Sequence, residues 1–578
     1  MKGNTLEGPN ERKTARPLSR RQLMQSGAAL LGTAAAAGAL PAVAFAESKH
    51  STPFSAAKPS IVASDEAAIV ETAGGKVRGY IRDGIYTYKG IPYGDDTGGA
   101  ARFLPPKKAK PWTGLRSSMQ YGQVCVQVKR MGWANDEEAW MFSWDDGVPG
   151  EDCLRVNLWT PAVNDHEKRP VMVWLHGGGY VAGSGQELRS YDGEQLSRRG
   201  DVVVVSLNHR LGVLGHLDLS HYGQQYASSG NVGMLDIVLA LEWVRDNIAN
   251  FGGDPGNVTI FGQSGGGGKV NTLMAMPAAK GLFHRAIVQS GSILRAGTPE
   301  KSARVAAAVL EELNLSPSQL DQLHSMPPEK LIEAGNAALR KINPPGPFSW
   351  KNVADRLGWG PVVDGKDLPR HPFDPDAPPI SAHVPLMVGT VLNEFMTAIN
   401  HPEYESMGED EVHKRVAESY GDKAGHLIEV FRAAHPKAKP FDILSRIMAE
   451  PVRGSAVTEA GLKAAQGAAP AYLYWFAWQT PVLDGRPRAF HCSELSFCFD
   501  NTDRCENMTG GGQEPRALAA KVSEAWLHFA RSGNPNHPGL PHWPAFAAAD
   551  CPTMIFDKQC IVENNPDKAE RQAVEDAS

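Results

Sequence analysis

The chain has 578 residues, 42% of them apolar and 21% charged. That is the balance of a globular protein, not a disordered one. Its 59 glycines and 42 prolines stay well below the roughly 25–30% share of low-complexity chains. A net charge of −6 provides no basic field for nucleic acid.

The N-terminus carries Arg12, Lys13, Arg16, Arg20 and Arg21, then an Ala-rich apolar run from Gly27 to Leu40. Ala44-Phe45-Ala46 follows as a small-x-small cleavage pattern. This order reads as an export signal over residues 1–46. The pair Arg20-Arg21 after Ser19 resembles a twin-arginine signal,, which makes the mature protein periplasmic or secreted. The apolar run, at roughly 14 residues, is shorter than the about 20 needed to span a bilayer. No stable membrane span is expected after cleavage. Residues 47–66 read as a flexible leader, 67–565 as one domain and 566–578 as a charged tail.

Strand-like and helix-like runs then alternate, so the fold class is α/β, with a mostly parallel sheet between helices. Residues 171–175, 202–207, 258–261, 286–288, 384–388 and 471–476 are buried-strand runs,. Met234, Ile237, Leu241, Val244 and Ile248 form a helical stripe,. Residues 300–380 and 395–465 read as helical insertions over the sheet.

After the run 258–261 comes Gly262-Gln263-Ser264-Gly265-Gly266, the pattern G-x-S-x-G. Alone it describes any glycine-rich turn with a serine. Between a strand and a helix it describes a sharp, strained turn that exposes the serine hydroxyl. The run 171–175 ends in His176-Gly177-Gly178-Gly179-Tyr180. Three glycines let backbone N–H groups approach a ligand closely, as an oxyanion hole requires. His176 itself reads as structural.

These motifs, with Tyr88-Lys89-Gly90-Ile91-Pro92-Tyr93, Glu151-Asp152-Cys153-Leu154, Asn208-His209-Arg210-Leu211-Gly212 and Gly533-Asn534-Pro535-Asn536, resemble type-B carboxylesterases. These are α/β-hydrolases related to para-nitrobenzyl esterases and cholinesterases. The resemblance implies a catalytic triad of Ser264, Glu394 and His491, with oxyanion donors on Gly178, Gly179 and Gly265. It also implies a disulfide between Cys125 and Cys153, and internal ion pairs Arg210–Asp236 and Arg102–Glu151. Trp133, Trp140, Phe142 and Trp144 then either pack the core or line the mouth of the site. Gln263 stands where the family often has Glu, which disfavours a cationic, choline-like substrate.

The implied activity is hydrolysis of uncharged or weakly charged small to medium carboxylic esters through an acyl-enzyme. No metal and no cofactor are expected. The same machinery on a carbamate, an amide or a complex natural-product ester is the alternative, followed by a non-catalytic binding relative.

Overall fold

The computed structural model describes residues 59–128, 136–343 and 356–578. The export-signal reading and Trp133 lie outside these residues. The six expected runs, and a seventh not expected, become neighbouring parallel strands: Arg169–Leu175 (β5), Val203–Leu207 (β6), Gly253–Gln263 (β7), Arg285–Gln289 (β8), Leu386–Val391 (β9), Ala471–Phe476 (β10) and the unexpected Pro552–Phe556 (β11). Antiparallel Ile61–Val62 (β1), Tyr80–Arg82 (β2), Ile85–Pro92 (β3) and Arg155–Thr160 (β4) extend one edge, and Ile561–Asn564 (β12) closes the other. These strands form a twelve-stranded sheet, in the order β1-β2-β3-β4-β6-β5-β7-β8-β9-β10-β11-β12, and Ile69–Thr72, Gly75–Arg78 and Leu115–Ser117 form a separate three-stranded one.

Alternation of side chains across the pleat fills both faces. Val171, Val173 and Leu175 of β5 join one core, and Met172 and Trp174 join the other. Ala286 and Val288 of β8 repeat the division against Ile287. Helix Val232–Asn247 (α1) covers the first face through Met234, Ile237, Leu241 and Val244. Helix Gln513–Ser532 covers the second through Leu518, Val522, Trp526 and Phe529. Strands buried on both sides need continuous apolar runs, which is why they read so directly from sequence.

The expected insertions hold helices Pro299–Glu312, Pro328–Ile342, Glu409–Tyr420, Ala424–Ala434 and Pro440–Ala465. The last three form a separate apolar cluster. Residues 566–578, read as a charged tail, contain the helix Lys568–Ala577, whose Ala573 and Val574 are buried in that cluster. Residues 61–62, within the expected leader, pair with β2. Among the described residues no helix is long and apolar enough to cross a membrane.

The expected ion pairs are present. Arg102 Nε donates to Glu151 Oε1 at 2.6 Å. Arg210 Nη2 and Nε donate to Asp236 Oδ1 and Oδ2 at 2.7 and 2.9 Å, and the Arg210 backbone N–H adds a third bond. Both residues are buried. Removing one partner strands the other charge away from water. Asp236→Ala should therefore cost about 3–5 kcal/mol, read as a lower urea midpoint with an unchanged m-value.

Candidate active site

β7 ends at Gln263, and the helix Gly265–Ala275 (α2) starts two residues later. Between them Ser264 sits at φ 57°, ψ −126°, a region costing a non-glycine residue about 1–3 kcal/mol. The turn survives because the surrounding backbone leaves no alternative. A Cβ on Gly266 would lie 2.0 Å from the Leu175 carbonyl oxygen, and one on Gly265 would lie 2.3 Å from that of Gly179. The Ser264 N–H donates to the Gln289 carbonyl at 2.7 Å, fixing the turn to β8. Ser264 thus stands at the N-terminus of α2, where the helix dipole favours negative charge.

Gly178 and Gly179 follow β5 at φ 81° and 65°. Only glycine adopts such angles freely. They line the cavity beside Ser264, and the Gly265 contact with Gly179 sets the two segments edge to edge.

Glu394 follows β9 and is 1% exposed. Its Oε2 accepts from His491 Nδ1 at 2.5 Å. Its Oε1 accepts from Ser290 Oγ at 2.8 Å and from the Val391 N–H at 3.1 Å. The two segments also pair through backbone, with the His491 N–H donating to the Glu394 carbonyl at 2.9 Å. At the other ring nitrogen, Nε2 faces the Gln263 side-chain amide nitrogen at 3.0 Å.

Ser264, Glu394 and His491 line one cavity of about 550 Å³. Phe142, Trp144, Leu188, Phe395 and Ile399 form its apolar walls. The Phe395 ring lies 3.9 Å from the His491 ring and is 63% exposed. Phe142 and Trp144 stack at 4.7 Å. The two readings of the aromatic loop therefore divide: Phe142 and Trp144 line the cavity, whereas Trp140 faces outward at 49% exposure.

The disulfide expected between Cys125 and Cys153 is not formed: both are free thiols. Both are buried, and a thiol–thiol hydrogen bond followed by burial pushes Cys153 well above its ordinary range. The Cys125 sulfur also accepts from the Leu211 N–H at 3.3 Å.

Ser290 and Glu494 belong to the site but escape the motifs. Ser290 directly follows β8, at the carboxyl end of a strand, where α/β sites gather. Glu494 is fully buried three residues past His491 and accepts from Gln289 Nε2 at 3.3 Å. Burial first, and the charge of Glu394 second, push its carboxyl up to about 8.

A model of the carboxylesterase family matches residues 66–574. The chain belongs to the carboxylesterase family. It is 35% identical over 509 residues to the para-nitrobenzyl esterase of Bacillus subtilis (strain 168), covering 87% of this chain and 98% of that protein. It is 33% identical over 500 residues to the phenmedipham hydrolase of Pseudarthrobacter oxydans, covering 84% and 94%. An esterase from Clostridium hathewayi that can hydrolyze aliphatic aromatic polyesters superposes with TM-score 0.76 at 36% identity, over 89% and 99% of the two chains. The fold is that of the α/β-hydrolase carboxylesterases, and the reaction class is hydrolysis of carboxylic esters.

The raised Glu494 carboxyl has a consequence for stability. The folded state keeps a proton that the unfolded chain releases near 4.5. Stability from this group is full at low pH and falls as pH rises from about 4.5 to about 8. Glu494→Gln should remove up to about 1.4 kcal/mol of loss per pH unit across that window. Denaturation midpoints of parent and variant, compared across that range, read this out.

Proposed function

We propose that the chain cleaves uncharged or weakly charged small to medium esters through Ser264, His491 and Glu394. The observation that carries this reading is the meeting, around one cavity, of a strained, half-buried serine, a histidine paired with a buried glutamate and a glycine loop. His491 takes the Ser264 proton at Nε2 as the serine oxygen attacks the ester carbonyl. Glu394 receives the Nδ1 hydrogen bond, fixes the tautomer and stabilises the imidazolium. The N–H groups of Gly178, Gly179 and Gly265 hold the developing oxyanion. The alcohol leaves with a proton from His491, and water activated by the same ring releases the acid.

The cavity walls support the substrate class. Among the described residues they mix apolar side chains with Glu138, Glu187 and Glu394 and include no lysine or arginine. An ester whose acyl group ends in a carboxylate meets these carboxylates at close range. It should be hydrolysed at least about tenfold more slowly, in kcat/KM, than its neutral isostere. Ser264→Ala should lower kcat by at least about a thousandfold on para-nitrophenyl esters from acetate to octanoate. Full activity in that variant would overturn the triad, and the parent's chain-length profile sizes the acyl side.

The same reading extends to location. Arg20-Arg21 and Ala44-Phe45-Ala46 support twin-arginine export with cleavage after Ala46. Mass analysis of protein recovered from periplasm and medium tests this: a chain starting at Glu47 is expected.

A further inference from the structure

We propose that Gln263 is a positioning residue of the reaction: its side-chain amide, oriented by the Cys492 thiol, holds His491 as a bare base at Nε2. It yields that lone pair to Ser264 when an ester fills the cavity. This rests on the triad reading above and adds a residue to it.

A neutral imidazole has one N–H and one lone pair. The Glu394 carboxylate only accepts, so the proton sits on Nδ1 and the lone pair on Nε2. That lone pair needs a donor. The group found there is the Gln263 amide nitrogen, at 3.0 Å. An amide can turn either end toward a partner, and here the other end decides. The Cys492 sulfur donates to Gln263 Oε1 at 3.2 Å. This leaves the NH2 group facing the ring. The reversed amide would set a carbonyl oxygen against the Nε2 lone pair.

Three donors therefore run in one direction: Cys492 S–H to Gln263, Gln263 N–H to His491, and His491 N–H to Glu394. The Gln263 backbone is fixed by its pairing with Gln289 in the sheet, and the residue is 1% exposed, so only its side chain turns when the lone pair is yielded. Ser264 is its chain neighbour, so the amide and the hydroxyl compete for the same lone pair. While the amide holds it, a protonated Nε2 would meet another N–H, and the resting ring is kept as a base.

The titratable groups around His491 are Glu394 on the β9 turn, Cys492 and Glu494 on its own segment, and Glu138, Glu187 and His401 across the cavity. Gln263→Glu replaces the donor with an acceptor that would stabilise a protonated Nε2. The acid limb of kcat/KM should then move up by about one pH unit or more. Gln263→Met keeps the length but no hydrogen bond, and should lower kcat about fivefold to tenfold with KM within twofold. Cys492→Ala should reproduce part of that loss, and Cys492→Ser, which keeps a donor, should recover most of it.

A Gln263→Glu acid limb superimposable on the parent's would overturn the proposal. So would a Cys492→Ala enzyme with the parent's kcat. Labelling of Ser264 by a fluorophosphonate confirms that each variant is folded and competent. If Ser264→Ala itself stays active, the triad reading fails first. If it is inactive while the Gln263 and Cys492 variants match the parent, only the positioning role fails.

Discussion

The site depends on one close approach between two stretches of backbone. The start of α2 and the loop after β5 meet with no side chain between them. A Cβ on Gly265 would strike Gly179, and one on Gly266 would strike Leu175. Gly265 and Gly266 clear the side of the helix that meets the loop, while Gly267 and Gly268 face Gly291 and Ile293 instead. The contact holds Ser264 at its strained angles. It also sets the N–H groups of the glycine loop beside it. The helix cannot form where it does unless the loop is already bare, so sheet, turn and loop are specified together.

The second half of the site is built on other strands. Glu394 leaves β9, Ser290 leaves β8, and the His491 segment docks back by a backbone hydrogen bond to Glu394 itself. Glu394 and His491 therefore stay in register even though 97 residues separate them in sequence. The buried carboxylate is satisfied by three donors and is held on both oxygens. A rigid acceptor of this kind fixes the ring it faces, and the ring's far nitrogen then becomes the point where neighbours compete.

The sheet is legible because strands covered on both faces must be almost wholly apolar: the run 171–175 is so throughout, and Ser206 alone interrupts 202–207. The elbow and the glycine loop were legible because their geometry admits few residues other than glycine. Glu394 and His491 were found only through the family resemblance, since nothing local marks a glutamate in a turn or one histidine among 18. The edge strands 80–82 and 561–564 are partly exposed and short, so their pattern is weak. The helix 568–577 was read as a tail because its charged residues outnumber the few that face inward. Gln263 was noticed as an unusual residue, yet its partner could be seen only once His491 had been folded against it.

The C-terminal helix sets a condition on synthesis. Arg453, in the long helix Pro440–Ala465, is buried against Asp567 at 2.9 Å, both 2% exposed. β11 and β12 lie within the same closing stretch of chain and complete one edge of the sheet. The core is therefore closed only once residues 552–567 have docked on the sheet and on the long helix. A translation product cut short there would leave an arginine buried without its carboxylate and a parallel strand without its neighbour.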